Sequence, residues 1–274
     1  MPEDLAPMAA PAPIRVWDRG GPRPVLALHC SLAHSGAWTG LAERVTGVTV
    51  TAFDQPGHGK AADWDGRTEL HGLTTRIATE LAETLGQGGP IDLIGHSFGG
   101  TVALRMALER PDLVRSLALV EPVIFAAARD AGHPAHGPFR AEHLAFARTL
   151  AEGRREEAAA MFHAAWGTGE SLADLPDRPR QYIMDRIHMI VAQNPVLLDD
   201  AAGLLGYMRL ESIGVPVLLI EGAESPPIID AVQSELQRRL AQATRLRVPG
   251  AGHMVAITHP DAVARAVQAH WQAC

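Results

Sequence analysis

Residues 91–100 read IDLIGHSFGG, and this stretch decides the fold. A mostly apolar run over residues 91–94 has the character of a buried strand, and a helical pattern follows over residues 101–110. Between them, GHSFG at residues 95–99 supplies the glycines that a sharp strand-to-helix turn needs where a Cβ atom would clash. Such a turn exposes Ser97 at the tip of the strand, close to free N–H groups at the helix start. We therefore predict Ser97 to be a nucleophile.

Other segments have the length and pattern of strands, and they alternate with helical patterns. The strand-like runs are residues 25–28, 48–53, 117–120, 215–220 and 244–248, and the helical patterns are residues 38–45, 70–85 and 261–272. This alternation predicts an α/β fold with a parallel sheet and helices on both faces. Residues 125–207 show helical periodicity without a strand pattern, which predicts an insertion over the carboxyl edge of the sheet, where ligands bind. The alternative is a segment that packs there without contacting substrate.

His253 is the best placed of the 13 histidines to activate Ser97. A serine hydroxyl is a poor nucleophile unless a base takes its proton. His253 follows the last predicted strand, in the turn GAGHM at residues 250–254. A carbonyl under attack also needs two N–H donors at its oxygen. The backbone N–H of Phe98 would be one, and that of Ser31, in the loop after the strand 25–28, is the best candidate for the other.

Four stretches together resemble the α/β-hydrolase family: residues 29–38, 54–59, 95–100 and 249–253. The resemblance covers nearly the whole chain outside the insertion and is closest to the cap-bearing serine esterase and C–C hydrolase branch. It implies a mostly parallel eight-stranded sheet flanked by helices, with a helical cap inserted after the strand ending at Val120. The implied hydrolase core is residues 1–124 and 208–274, and the implied cap (lid) is residues 125–207.

The resemblance leaves the acid that orients His253 to be identified. Much of the family has an aspartate three residues after the glycine that matches Gly222, and this chain has Ser225 there. Serine cannot balance an imidazolium. Some relatives, including the haloalkane dehalogenases, carry the acid where this chain has Glu121. Because adjacent strands lie about 4.8 Å apart, a glutamate there can still reach the histidine. We predict Glu121 as the acid, with Glu224 as the alternative.

Serine at the turn favours acyl transfer, because dehalogenases and epoxide hydrolases of this fold use aspartate there. We predict a hydrolase of small to medium apolar carboxylic esters that forms an acyl-enzyme and uses no cofactor or metal. The predicted pocket side chains are Leu32, Phe125, Phe139, Phe162, Trp166 and Met254. The alternatives are a C–C bond hydrolase or lactonase of the same fold, and a catalytically silent relative that binds a ligand.

Composition restricts the partners of the chain. A formal net charge of −7 without a basic run argues against nucleic acid and anionic lipid as partners. The expected partner is the small-molecule ester substrate predicted above. No stretch approaches the roughly 18 apolar residues of a membrane span. Residues 1–13 lack the features of a secretory signal and predict a loose arm. Two cysteines, Cys30 and Cys274, predict no disulfide framework and a cytoplasmic location. The oligomeric state stays open.

Overall fold

A mostly parallel sheet forms the centre of the molecule. The computed structural model describes residues 13–274. The strands in this range are β1 (Ile14–Asp18), β2 (Arg23–Leu28), β3 (Val48–Phe53), β4 (Ile91–His96), β5 (Val114–Val120), β6 (Val217–Gly222) and β7 (Ala243–Val248). They lie in the order β1-β3-β2-β4-β5-β6-β7, and β1 pairs antiparallel with β3 while the other pairs are parallel. The predicted fold class is therefore confirmed.

The strand count differs from the eight that the resemblance implies. Residues 13–274 contribute seven strands, because only β1 precedes β2 and the segment between β5 and β6 adds none. The sequence pattern does not indicate β1, since Ile14 and Val16 are 57% and 53% exposed at the edge of the sheet. The predicted N-terminal arm lies outside the described residues except for Pro13, whose carbonyl accepts a hydrogen bond from the Asp54 N–H at 2.9 Å.

Helices cover both faces of the sheet. They are α1 (Thr39–Ala42), α2 (Leu70–Gly86), α3 (Phe98–Glu109), α4 (Ala126–Asp130), α5 (His136–Ala151), α6 (Arg155–Trp166), α7 (Asp177–Arg186), α8 (His188–Ala192), α9 (Asn194–Leu197), α10 (Pro227–Arg239), α11 (Val255–Thr258) and α12 (Pro260–Gln272). Across residues 13–274, none of the helices has the length and apolar character needed to cross a bilayer.

Alternation along the strands divides the core into two layers. Successive side chains of a strand point to opposite faces. In β2, Leu26 and Leu28 join the core beneath α2, α3 and α10, whereas Val25 and Ala27 join the core beneath α1, α11 and α12. All four side chains are fully buried. Burial on both faces explains why the strand appears in the sequence as a continuous apolar run.

The segment between β5 and β6 is helical, as its periodicity predicts, and contains α4 to α9. Its middle has a separate apolar cluster, formed by Phe146, Ala158, Ala159, Leu172, Ile187 and Ile190. Phe125 near its start and Leu197 near its end belong to the core next to the sheet. The segment is thus attached to the main body at both ends.

The order of the strands brings three loops to one edge of the sheet. β4 pairs with β5, with His96 opposite Val120, and β5 pairs with β6, with Val120 opposite Ile220. β7 follows on the far side of β6. Because these strands are parallel, the residues that follow β4, β5 and β7 meet at the carboxyl edge.

Candidate active site

Ser97 forms a sharp turn between β4 and α3. Its φ is 55° and its ψ is −119°, a conformation that non-glycine residues rarely adopt. The Ser97 N–H donates to the Val120 carbonyl at 2.9 Å, which ties the turn to β5. The neighbouring glycines are needed for close approach: a Cβ atom on Gly95 would overlap the carbonyl of Gly99, and one on Gly99 would overlap the carbonyl of Leu28.

His253 lies between Ser97 and Glu121. Its Nε2 atom is 3.0 Å from Ser97 Oγ, and its Nδ1 atom is 2.6 Å from Glu121 Oε2. Glu121 is fully buried, and Ser97 and His253 are almost so. An ionised carboxylate can only accept hydrogen bonds, so Nδ1–H donates to Glu121. Nε2 is then free to accept the proton of the Ser97 hydroxyl.

The other oxygen of Glu121 is also occupied. Oε1 accepts from the Gly222 N–H at 2.6 Å and from the Ser225 hydroxyl. Burial alone would raise the pKa of Glu121, but the hydrogen bonds from His253, Ser225 and Gly222 outweigh it and hold that pKa below its ordinary value. Ser225, at the position where the family resemblance has an aspartate, therefore supports the carboxylate of Glu121. Glu224 is exposed, so the structure brings Glu121 to His253 and leaves Glu224 at the surface.

His96 holds the backbone of His253. Its Nε2 atom lies 2.8 Å from the His253 carbonyl oxygen. Burial, followed by repulsion from His253, lowers the pKa of His96 to about 3. The ring is therefore neutral, and Nε2–H donates to the carbonyl. The sequence carries no signal for this contact, because the two residues are 157 positions apart.

The two predicted N–H donors lie beside the serine. Phe98 is the first residue of α3, and Ser31 follows β2 in the next loop. In the described part of the chain, neither backbone N–H has a hydrogen-bond acceptor. Gln55 holds this loop, since its side chain donates to the His29 carbonyl at 2.7 Å and its N–H donates to the His29 ring at 3.1 Å. Both donors are thus available in a fixed loop and a fixed helix start.

A cavity of about 40 Å³ opens beside Ser97 and His253. A single water needs roughly 10–15 Å³, so the cavity admits only a small group. Four predicted pocket residues line it: Phe125, Phe139, Phe162 and Trp166. Lining residues that the sequence analysis does not include are Val123, His143, Ile190, Gln193, Asn194 and Leu197. Across residues 13–274, no Arg, Lys, Asp or Glu lines this cavity, and no three His, Cys, Asp or Glu side chains are placed to hold a metal ion.

Leu32 and Met254 lie outside this cavity, contrary to prediction. Leu32 has a φ of 59° and packs against the apolar cluster in the middle of the helical segment. Met254 precedes α11, and its carbonyl accepts from the Ile257 N–H at 2.8 Å. In sequence, Leu32 adjoins Ser31 and Met254 adjoins His253. Adjacent residues in a turn point in different directions, so nearness in sequence does not place a side chain.

Aromatic rings line both this cavity and a larger groove of about 450 Å³. The Trp166 ring lies edge-on to His253 with ring centres 4.8 Å apart, and the ring centres of Phe125 and Phe139 are 4.2 Å apart. The side chains that line both spaces are Phe139, His143, Phe162 and Trp166.

This chain is similar to known proteins over most of its length. Lipase LipV of Mycobacterium tuberculosis (strain ATCC 25618 / H37Rv) is 27% identical over 270 residues, covering 93% of this chain and 95% of the relative. Esterase YbfF of Escherichia coli (strain K12) is 27% identical over 210 residues, covering 72% of this chain and 78% of the relative. The solved structure of the esterase EaEST from Exiguobacterium antarcticum shares the fold with a TM-score of 0.72, at 17% identity, over 94% of this chain and 95% of that structure.

The family model described as the alpha/beta hydrolase family matches residues 25–266, which is most of the chain. The matched range includes the turn at Ser97 and the loop that carries His253. The sheet order and the helices on both faces agree with the same assignment. This chain therefore belongs to the alpha/beta hydrolase family.

Proposed function

We propose that this chain is a serine hydrolase that cleaves small to medium apolar carboxylic esters through an acyl-enzyme. The observation that carries the proposal is the continuous series of hydrogen bonds from Ser97 Oγ through His253 to Glu121 at the wall of a cavity. A hydroxyl becomes a competent nucleophile when a base accepts its proton and a third group orients that base. The same series argues against a catalytically silent relative.

The geometry supports the following steps. His253 Nε2 takes the proton of Ser97 as the hydroxyl oxygen attacks the ester carbonyl, and Glu121 stabilises the imidazolium that forms. The Ser31 and Phe98 N–H groups donate to the oxyanion. When the tetrahedral intermediate collapses, His253 returns the proton to the departing alcohol. Water then attacks the acyl-enzyme by the same route, which releases the acid and restores Ser97.

The surroundings of Ser97 support an apolar ester over the other substrates of this fold. Phe125, Phe139, Phe162 and Trp166 face the cavity, and apolar and aromatic walls suit an acyl chain. Two relatives are named as a lipase and an esterase. We therefore place ester hydrolysis ahead of C–C bond or lactone hydrolysis, and we propose that residues 125–207 form the cap that closes this pocket.

A fluorophosphonate probe tests the proposal directly, because it reacts with activated serines. We expect the probe to label the chain and Ser97→Ala to abolish both labelling and hydrolysis of p-nitrophenyl butanoate. Ser171→Ala is the matched control, since Ser171 is exposed on the helical segment and should label like the wild type. A wild-type chain that neither labels nor turns over the ester would refute the proposal, and so would labelling that persists in Ser97→Ala.

A further inference from the structure

Gln193 lies at the junction of α8 and α9 and lines the cavity beside Ser97. It is only 2% exposed. Its N–H donates to the Ile190 carbonyl at 3.3 Å, and its carbonyl accepts from the N–H groups of Val196 and Leu197 at 3.2 and 3.1 Å. The backbone that carries this side chain is therefore fixed by both helices.

The carboxamide of Gln193 uses only one of its two ends. Oε1 accepts a hydrogen bond from Ser31 Oγ at 2.9 Å. Nε2 is buried, and within residues 13–274 it has no hydrogen-bond partner. Buried polar groups in proteins nearly always have a partner, in the protein or in a bound molecule. An unpaired donor on a side chain that lines a substrate cavity therefore indicates a ligand atom.

The rest of the cavity indicates what that atom is. The neighbouring carboxamide, Asn194, is only half-buried, and its Oδ1 atom lies 2.9 Å from His143 Nε2, so among the described residues it leaves no buried donor unpaired. Burial lowers the pKa of His143, so this ring is neutral as well. In the described part of the chain, no Arg or Lys lines the cavity. A carboxylate bound here would be buried without a counter-charge, which is costly, whereas a neutral oxygen matches a neutral amide donor.

We propose that Gln193 Nε2 donates a hydrogen bond to a second, neutral oxygen of the substrate, such as an ether, hydroxyl or ketone oxygen close to the reacting ester. Gln193 is then a specificity-determining residue, and the preferred substrates are otherwise apolar esters that carry one further neutral oxygen. The inference rests on the proposed function. It also explains the hydrogen bond between Ser31 and Gln193. The Ser31 N–H donates to the oxyanion, and the Ser31 hydroxyl holds the carboxamide that recognises the second oxygen.

Two pairs of esters of equal chain length test the inference. p-Nitrophenyl methoxyacetate and p-nitrophenyl butanoate differ by one oxygen on the acyl side, and 2-methoxyethyl butanoate and butyl butanoate differ by one oxygen on the alcohol side. For each pair, the ratio of kcat/KM in the wild type is compared with that in Gln193→Met, so that the intrinsic reactivities cancel. We expect the variant to lower the ratio of the oxygenated ester to the plain one by about tenfold in one pair, as for the loss of one neutral hydrogen bond.

Gln181→Met is the matched control. Gln181 is exposed on α7, where it donates to Asp185 at 2.7 Å, so its variant should keep both wild-type ratios. Fluorophosphonate labelling and the Tm show that each variant is folded. If Gln193→Met leaves both ratios unchanged, or slows both members of each pair equally, the inference is overturned. Failure of the wild type to hydrolyse any of the four esters would refute the proposed function instead.

Discussion

Ser97 and Glu121 both have a positive φ, which residues other than glycine rarely adopt, with values of 55° and 49°. Each residue directly follows a parallel strand, and each is tied to the next strand. The Ser97 N–H donates to the Val120 carbonyl, and the Glu121 N–H donates to the Ile220 carbonyl at 2.8 Å. Such conformations cost about 1–3 kcal/mol each and concentrate at functional sites. That neither position is glycine indicates that both side chains are needed.

Glu121→Gln replaces one carboxylate oxygen by an amide nitrogen and tests whether the negative charge of Glu121 is needed. Glu121→Gln should lower kcat about 10³- to 10⁴-fold, because a neutral amide neither stabilises the His253 imidazolium nor selects its tautomer. Glu224→Gln makes the same change at an exposed position and should leave kcat unaltered. Turnover of p-nitrophenyl butanoate by both variants measures the difference. A large loss in the Glu224 variant alone would show that the acid is misassigned.

At the scale of elements, α7 attaches the helical segment to two loops of the sheet. The Tyr182 hydroxyl donates to the Ala33 carbonyl at 2.8 Å and accepts from the Gly59 N–H at 2.7 Å. Arg186 Nε donates to the Gly57 carbonyl at 2.9 Å, and its guanidinium lies 3.9 Å from the centre of the Tyr182 ring. The loops after β2 and β3 are thus joined to one helix, next to the proposed oxyanion donor.

Tyr182→Phe should lower the free energy of unfolding by about 1–2 kcal/mol, because the Ala33 carbonyl and the Gly59 N–H both lose a partner. Tyr207→Phe removes the same hydroxyl from a side chain that is 95% exposed, and it should change stability little. Urea unfolding of both variants gives the comparison. Equal stability of the two would mean that the α7 contact does not hold the segment.

The elements that the sequence predicts well are those whose burial leaves a pattern. β2 and β6 contain continuous apolar runs because both of their faces are covered, and β4 keeps this pattern except at the buried Asp92. β1 gives no such run, since its side chains are largely exposed at the sheet edge. A strand can therefore be predicted from its sequence when its side chains are buried, and not from its backbone geometry alone.

The residues of the site also divide into those that the sequence predicts and those that it does not. Ser97 and His253 stand in glycine-containing turns that follow predicted strands, and Glu121 could be predicted because Ser225 left the usual position without a carboxylate. Gln193 could not, since it reaches Ser31 across 162 positions and carries no periodic signal. Contacts between distant segments depend on how the helices pack, which the pattern of a single segment does not contain.

At the scale of the whole molecule, four buried histidines make stability depend on pH. Burial is the main cause that lowers each pKa, to about 3 for His29, His71 and His96 and to about 4 for His58. In the unfolded chain each returns to about 6.5. As the pH falls below 6.5, the unfolded chain binds protons first. The stability is therefore fully present above that pH and is lost as the pH falls towards 4.

The free energy of unfolding should fall between pH 6.5 and 4.5, with a slope approaching about 5 kcal/mol per pH unit for four protons. Urea unfolding at pH 7, 6 and 5 measures this slope. His71→Gln should reduce this slope by the contribution of one proton, about 1.4 kcal/mol per pH unit. His188→Gln changes an exposed position and should leave the slope as it is. A profile that stays flat down to pH 5 would show that these rings take up protons as readily in the folded chain as in the unfolded one.

The groups proposed to break the bond and the groups that surround the substrate come from different stretches of the chain. Ser97, Glu121 and His253 follow strands of the sheet, whereas most of the cavity wall comes from residues 125–207. The reaction and the choice of substrate therefore depend on different segments of the sequence. Recombination that exchanges residues 125–207 with the matching segment of a relative would change which substrates are accepted and leave the reaction unchanged. The condition is that the new segment still fills the places of Phe125 and Leu197 beside the sheet.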